Sequence, residues 1–210
     1  MTESLTGLRL DEFCSALAAK RAVPGGGGAA ALTGALGVAL CSMAGNFTVG
    51  KPAYAHVEDE LKRMLAEAED VQKRLVALVD EDARAFERVS QSWRIPKDDP
   101  ARAERVEEAT RNACQAPLEM MRQCGRALKL LEEMEEAGSH LLLSDVACGA
   151  LLCSAALEAA SINVFVNTTS LHDRALAHTI ESEADALLDT WLPRTRALAT
   201  RVALRVREVV

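Results

Sequence analysis

Residues 57–89, VEDELKRMLAEAEDVQKRLVALVDEDARAFERV, contain the pattern that decides the fold. Apolar side chains recur there at alternating intervals of four and three residues, at Val57, Leu61, Met64, Ala68, Val71, Leu75 and Leu78. This spacing is that of a long helix with one face packed against other helices. The chain is therefore predicted to be all-α, an up-and-down bundle of long helices.

The same three-and-four spacing extends on both sides of this stretch, and no alternating strand pattern is present. Helices are predicted at residues 10–20, 27–48, 52–93, 101–137, 144–168 and 173–210. Pro117 and Pro193 are expected to kink two of them. The breaks between helices are too short to link domains, so residues 1–210 are predicted to form a single domain.

Composition excludes several functional classes. The 210 residues include 24 Lys+Arg and 31 Asp+Glu, which gives a net charge of -7. Such a chain lacks the basic field that attracts a phosphate backbone, so no nucleic-acid partner is expected. Hydrophobic residues make up 49% of the chain but aromatic residues only 3%, which favours closely packed helices built from Ala, Leu and Val.

The cysteine and histidine patterns predict no metal site. The six cysteines lack CxxC pairs and zinc spacing, so they are interpreted as buried thiols: Cys14, Cys41, Cys114, Cys124, Cys148 and Cys153. The four histidines form no HExxH motif. The first residues show no basic segment followed by an apolar run, which predicts a cytoplasmic location.

Residues 22–50 contain no charged side chain, which raises the question of a membrane span. The segment opens with four glycines and is rich in small residues, whereas membrane insertion favours large aliphatic ones. It is interpreted as a central Ala/Gly-rich helix, preceded by a Gly-rich loop, inside a bundle or at a subunit interface. No membrane partner is expected.

Asp82 is the leading catalytic candidate. Continuing the heptad count places it at the next inward position, followed by Ala85 and Val89. A carboxylate facing a core has a raised pKa unless it is paired, and such a pKa suits proton transfer. The alternative is that Asp82 forms a structural ion pair with a Lys or Arg of a neighbouring helix.

Several other residues are candidates for binding an anion. Gly25, Gly26, Gly27 and Gly28 precede a helix, where free backbone N–H groups attract a carboxylate or phosphate, although the run could equally be a turn. Residues 45–51, GNFTVGK, nearly match a phosphate-binding loop, but Pro52 replaces the hydroxyl residue, so a nucleoside triphosphatase is rejected. Lys51 remains a candidate for binding an anion through its ammonium group. The alternative is that it is a solvated lysine of a surface loop.

Polar residues near the next long apolar helix complete the set. Asp145 falls in its first turn, where a carboxylate commonly serves the helix dipole. Asn163 and Asn167 are four residues apart, so both amides are expected on one face of an otherwise apolar helix. They could bond backbone groups across a helix interface or bind the edge of a flat heterocycle.

Five segments occur in an order that resembles one family: AAKRAVPGGGGAAALTGALGVAL (18–40), GNFTVGKPAY (45–54), LVDEDARAF (78–86), IPKDDP (95–100) and SDVACGALLCSAALEAASINVFVN (144–167). The chain is similar to the cyclodeaminase/cyclohydrolase family, the helical domain of formiminotransferase-cyclodeaminase and of stand-alone methenyltetrahydrofolate cyclohydrolases. The resemblance runs from about residue 10 to beyond residue 173.

The resemblance implies an all-α homodimer that binds a reduced folate in a groove near the subunit interface. It implies that Asp82 is catalytic and that Gly25–Gly28, Lys51, Asp145, Asn163 and Asn167 fall on family positions. Gly28 replaces the Ser of the commoner family pattern, which puts a hydroxyl contact there in doubt. No redox cofactor is implied, because the folate is the substrate.

Two reactions fit the resemblance. The first is hydrolysis of 5,10-methenyltetrahydrofolate to 10-formyltetrahydrofolate, favoured because the chain carries no fused formiminotransferase domain. The second is cyclodeamination of 5-formiminotetrahydrofolate with release of ammonia. A third hypothesis, from another class, is a non-catalytic helical interaction protein. Lys20, Arg21 and Lys51 flank the charge-free segment and are the expected partners of an anionic substrate.

Overall fold

A computed structural model describes residues 4–208, in which the chain forms α-helices, three short 3-10 turns and no β-strand. The predicted all-α class is therefore confirmed. The helices are α1 (Leu10–Ala18), α2 (Gly26–Asn46), α3 (Glu58–Trp93), α4 (Arg102–Ala113), α5 (Gln115–Ala137), α6 (Leu143–Thr169) and α7 (Arg174–Glu208). Residues 1–3, part of the segment used for the cytoplasmic prediction, lie outside the described residues.

The long helices run up and down, and α2 lies at the centre of the bundle. It packs against α3, α5 and α6, while α7 covers the other side of α5 and α6. Short connections between consecutive long helices make them antiparallel neighbours. One hydrogen bond joins the C-terminal end of α2 to the N-terminal end of α6. The Ser139 N–H, which precedes α6, donates to Thr48 Oγ1, which follows α2, at 3.0 Å.

The heptad pattern of α3 has the predicted effect. Leu61, Met64, Leu75 and Leu78 are fully buried, and each such side chain contributes about 1.5–3 kcal/mol by leaving water. The fully buried run of this face ends at Leu78, and Asp82 at the next inward position is half-buried. The core therefore extends along α3 up to the turn that carries the leading catalytic candidate.

The predicted single helix over residues 101–137 is wrong, because the structure divides it at Cys114 into α4 and α5. Pro117 accounts for the break, since proline has no N–H to donate to the carbonyl four residues earlier and its ring crowds that carbonyl. The affected carbonyl belongs to Ala113. Pro193, in contrast, lies inside α7, which continues through it.

Two further expectations need correction. Cys14 and Cys148 are exposed thiols, whereas the other four cysteines are buried as predicted. The glycine run is not a loop before the helix, because Gly25 is the N-cap and Gly26, Gly27 and Gly28 form the first turn of α2.

Within residues 4–208, the segments Gly26–Asn46 and His140–Thr169 are long and apolar enough to cross a membrane by length and composition. Both are the central, closely packed elements of the bundle, and 56% and 44% of their most apolar windows are buried inside it. Their apolarity is thus partly explained by core packing, and the remainder belongs to an exposed face described below.

Candidate active site

A cavity of about 220 Å³ opens where α2 begins, between α3, α4 and α6. Gly25, Gly26 and Gly27 form its floor, together with the preceding residues Ala22 and Val23. The remaining lining residues come from three helices: Asp82, Ala85, Phe86, Val89 and Trp93 of α3, Thr110 and Ala113 of α4, and Asn163, Val166, Asn167 and Ser170 of α6.

Asp82 lies against the floor, and Gly27 makes room for it. A Cβ atom on Gly27 would stand 2.4 Å from Oδ2 of Asp82, well inside van der Waals contact. A Cβ on the neighbouring Gly28 would meet nothing closer than 3.6 Å, an ordinary contact with Val79. Only the first of these two glycines is therefore required by the position of the carboxylate.

The environment of Asp82 makes its carboxyl group weakly acidic. Burial raises its pKa from 3.8 to about 6, against the opposing effect of a hydrogen bond from the Gly28 backbone N–H. No cation contributes to this pKa, and no ion pair joins Asp82 to another residue among those described. The ion-pair alternative is thus contradicted, and Asp82 has a pKa suited to proton exchange near neutral pH.

Asp80, two residues earlier, has a pKa that is shifted in the opposite direction. It accepts hydrogen bonds from Ser4 Oγ and the Leu5 N–H, both at 2.7 Å, and from Thr6 Oγ1 at 3.1 Å. Burial alone would raise its pKa, but these bonds together hold the pKa below its ordinary value. Asp80 therefore anchors the N-terminal segment, while Asp82 keeps its second oxygen free for the cavity.

The two asparagines of α6 lie together on the cavity wall, half-buried. Asn163 Nδ2 donates to the Ala159 carbonyl and Asn167 Nδ2 to the Ala113 carbonyl, both at 2.9 Å. Ala113 is the residue whose carbonyl loses its helical partner at Pro117. Asn167 supplies that missing donor and so joins α4 to α6, and both side chains keep their Oδ1 as an acceptor.

Lys51 and Asp145 do not line this cavity. Lys51 is exposed beyond the far end of α2, and Asp145 lies in the first turn of α6. Eighteen residues of α6 separate Asp145 from Asn163, which corresponds to about 27 Å along the axis. Lys20 and Arg21, in contrast, directly precede Ala22 and Val23 at the cavity edge and are exposed.

Several side chains of the wall were not predicted from the sequence, among them Phe86, Trp93 and Thr110. For the aromatic residues a signal existed, because Phe86 and Trp93 lie four and eleven residues after Asp82 and thus share its face of α3. Thr110 gave no such signal, since its proximity depends on how α4 folds back on α3. Within residues 4–208, no group of three or more His, Cys, Asp or Glu side chains is arranged to hold a metal ion.

Comparison with known proteins identifies the family to which this helical fold belongs. Residues 9–186 match the family described as formiminotransferase-cyclodeaminase. This match over most of the chain, together with the all-α fold, defines the class of protein. The chain belongs to the formiminotransferase-cyclodeaminase family.

The individual relatives include both a cyclohydrolase and cyclodeaminases. The chain is 37% identical over 85% of its length to the methenyltetrahydrofolate cyclohydrolase of Methylorubrum extorquens, of which it covers 88%. It is 29% identical over 98% of its length to the mouse formimidoyltransferase-cyclodeaminase, of which it spans 38%. The crystal structure of a formiminotetrahydrofolate cyclodeaminase from Thermotoga maritima superimposes with a TM-score of 0.84 at 28% identity, covering 94% of this chain and 98% of that one.

The contrasting environments of Asp80 and Asp82 predict opposite pH dependence of stability. Asp82 has a folded pKa of about 6 against 3.8 ordinarily, so the folded protein keeps a proton that the unfolded chain releases. Stability is lost as pH rises through this interval, by up to about 3 kcal/mol. We expect Asp82→Asn to raise the free energy of unfolding above pH 6, with a gain that shrinks toward pH 4.

Urea denaturation across this pH range tests the expectation, and Asp80→Asn is the matched control. Asp80 has a lowered pKa, so its carboxylate stabilises the fold at neutral pH and ceases to do so on acidification. The control should therefore be destabilised at pH 7 and approach the wild type in acid. A neutral-pH loss of stability in both variants would show that Asp82 is held by favourable contacts.

Proposed function

We propose that the protein hydrolyses 5,10-methenyltetrahydrofolate to 10-formyltetrahydrofolate. The single observation that supports this most is the unpaired Asp82 carboxyl group, whose burial against the glycine floor raises its pKa to about 6. The 37% identical relative that bears the name methenyltetrahydrofolate cyclohydrolase supports the same reaction. That relative matches the chain over most of both lengths.

In this reaction Asp82 acts first as a base and then as an acid. The carboxylate takes a proton from water as the water oxygen forms a bond to the methenyl carbon. The resulting carbinolamine loses its hydroxyl proton to solvent water and forms the formyl C=O as the bond between that carbon and N5 breaks. The carboxylic acid then protonates N5. Such transfers contribute about 10²- to 10⁴-fold to rate when the pKa lies near the working pH.

The cavity offers complementary positions for the rest of the substrate. The first turn of α2 presents backbone N–H groups that have no helical acceptor, at the positive end of the helix dipole. Opposite them, Asn163 and Asn167 retain acceptor oxygens, which suit the N–H donors along the edge of a reduced pterin. Lys20 and Arg21 stand at the cavity edge, where they suit the anionic glutamate tail.

The cyclodeaminase reaction is the second candidate, favoured by the names of the mouse and Thermotoga relatives. In that reaction N10 attacks the formimino carbon and the departing ammonia needs a proton, which the acid form of Asp82 would supply. Supplying 5-formiminotetrahydrofolate to the purified protein separates the two candidates, because only the cyclodeaminase would produce the near-ultraviolet band of the methenyl compound. The non-catalytic alternative requires that no reduced folate binds.

Asp82→Asn should abolish the hydrolysis without unfolding the protein. We expect the loss of methenyltetrahydrofolate absorbance to slow by at least about 10²-fold relative to the wild type. In the wild type, kcat/KM should fall as pH drops below about 6, because protonation removes the base. A variant with a near-normal rate, measured above the buffer blank, would remove Asp82 from the chemistry.

Gly27→Ala tests whether the position of the carboxylate matters as much as its presence. The added Cβ would collide with Asp82, so we expect kcat to fall by at least about tenfold. Gly28→Ala is the matched comparison, since its Cβ makes only an ordinary contact and its N–H is kept. We expect this second variant to lose much less activity. Equal losses in the two would assign the glycine requirement to substrate space.

We further propose that the protein is a homodimer. Exposed or half-buried residues form an apolar face on two adjacent helices, at four-three spacing along each. They are Ala29, Thr33, Leu36, Leu40 and Met43 of α2 with its C-cap Phe47, and Cys148, Leu152, Ala155, Ala159, Ile162 and Val166 of α6. A contiguous apolar face of this length on a folded chain marks an interaction site.

A two-fold axis perpendicular to these helices accounts for the distant site candidates. The midpoint of the face on α2 lies between Leu36 and Leu40, so an isologous dimer would place the far end of α2 beside the beginning of the partner's α2. Lys51 would then approach the mouth of the other subunit's cavity. Val166 supports this geometry, because it belongs both to the apolar face and to the cavity wall.

Mixing two impaired variants, assayed at substrate concentrations below the KM of Lys51→Ala, tests this arrangement. Asp82→Asn and Lys51→Ala each impair every site of their own homodimer, and Lys51→Ala should mainly raise KM. If Lys51 serves the site across the interface, a mixed dimer contains one intact site, so activity should return on subunit exchange. If Lys51 serves its own chain, mixing restores nothing, and if it serves no site, Lys51→Ala alone keeps a normal KM. Leu36→Asp should produce monomers by light scattering, whereas Leu204→Asp on exposed α7 should not.

We propose a cytoplasmic location, supported by the six cysteines, all of which are free thiols. We also propose that the reaction needs no cofactor beyond the folate substrate, because proton transfer and positioning are sufficient for the steps described.

A further inference from the structure

Two exposed aromatic side chains in the cavity wall have no role in the proton transfer. The chain contains only four Phe, two Trp and one Tyr, yet Phe86 and Trp93 both line the cavity that holds Asp82. Their exposed fractions are 39% and 53%. The rings stand edge to face, with centroids 6.4 Å apart and planes at 90°.

These rings continue the inward face of α3 past the end of the core. Up to Leu78 that face is buried, partly against α2, but α2 begins at Gly26, level with Asp82. Beyond Asp82 the same face borders the cavity, where Val89 is buried but Phe86 and Trp93 remain exposed. A bound molecule would supply the missing packing partner.

Distances along α3 relate the rings to the reacting atoms. Phe86 lies one turn beyond Asp82, and Trp93 lies about 16 Å beyond it along the axis. Helical side chains lean toward the helix N-terminus, which brings the Trp93 ring back toward Asp82. The edge-to-face contact with Phe86 is consistent with this orientation. The aromatic wall therefore starts beside the carboxylate and extends away from it.

We infer that Phe86 and Trp93 bind the aminobenzoyl ring of the folate, an inference that rests on the proposed function. The methenyl carbon that meets Asp82 is bonded to N10, and N10 carries the aminobenzoyl ring, so this ring is the next group along the substrate. Its apolar, planar faces match a wall formed by Ala85, Phe86, Val89 and Trp93. The pterin has polar edges, which fit the Asn163 and Asn167 side instead.

Fluorescence of Trp93 provides a direct test, because the chain has only one other tryptophan. Trp191 is half-buried on α7, with the Arg194 guanidinium 4.5 Å over its ring, away from the cavity. In Trp191→Phe, acrylamide quenching reports on Trp93 alone. We expect 5-formyltetrahydrofolate to reduce the quenching constant at least twofold. In Trp93→Phe, which retains Trp191, the same ligand should change nothing.

Two fragments of the ligand identify the group that covers the ring. p-Aminobenzoylglutamate should protect Trp93 at high concentration, whereas 6-methyl-5-formyltetrahydropterin, which lacks the aminobenzoyl group, should not. Protection by the pterin alone would overturn the inference and place the pterin on the aromatic wall. No protection by the whole folate would overturn it as well.

Kinetics distinguish ring contact from a structural role. Trp93→Ala and Phe86→Ala should each raise KM for methenyltetrahydrofolate about three- to tenfold with kcat within about twofold, and Trp93→Phe should restore most of the affinity. An unchanged KM in Trp93→Ala would contradict the inference. Turnover by Trp191→Phe is measured in parallel. If this variant hydrolyses the substrate but the bound folate does not protect Trp93, the aromatic contact is refuted and the proposed function remains intact.

Discussion

The close approach of α2 and α6 positions the rest of the molecule. A Cβ on Gly37 would stand 2.8 Å from the Gly149 carbonyl oxygen, and a Cβ on Gly149 would stand 2.7 Å from the Gly37 carbonyl oxygen. Only two glycines facing each other allow the helices to come this near. Since α6 carries the cavity asparagines and α2 the glycine floor, this contact sets the width of the site.

Within that frame, the site depends on polar groups that are left without their usual partners. Asp82 has neither a cation nor full hydration, and its pKa rises accordingly. Ala113 has lost its helical donor to Pro117, and Asn167 replaces that donor across the cavity. Both features fix the geometry of the wall at a cost in local bonding, and the buried core along α3 offsets that cost.

The sequence was sufficient for most of the fold and for the identity of the acidic residue. The heptad repeat of α3 predicted the buried face and the inward position of Asp82, because both follow from helical periodicity alone. The division at Cys114 was missed because a proline in the third position of a helix is also compatible with a kink. The absence of a cation near Asp82 was beyond prediction, since it depends on which residues three other helices place there.

The remaining candidate residues show which features helical periodicity cannot predict. Asn163 and Asn167 were expected on one face and are found there, but the partner of Asn167 on α4 and the half-buried state of both side chains required the tertiary structure. Lys51 and Asp145 were selected from a near match to a phosphate-binding loop, from a position in a helix first turn and from the family resemblance, and none of these reveals their distance from the cavity of the same chain. An arrangement that involves two subunits has no signature within one.

Gly27 contributes to the site by having no side chain, which restricts the amino acids that position 27 can accept. A residue that works through its side chain can often be exchanged for a chemically similar one, but nothing smaller than glycine exists. Position 27 therefore has one acceptable amino acid as long as Asp82 keeps its place, while position 28 can accept alanine or serine at little steric cost. Neutral substitutions along this glycine run should therefore be uneven, with none accepted at position 27 and several accepted at the adjacent position 28.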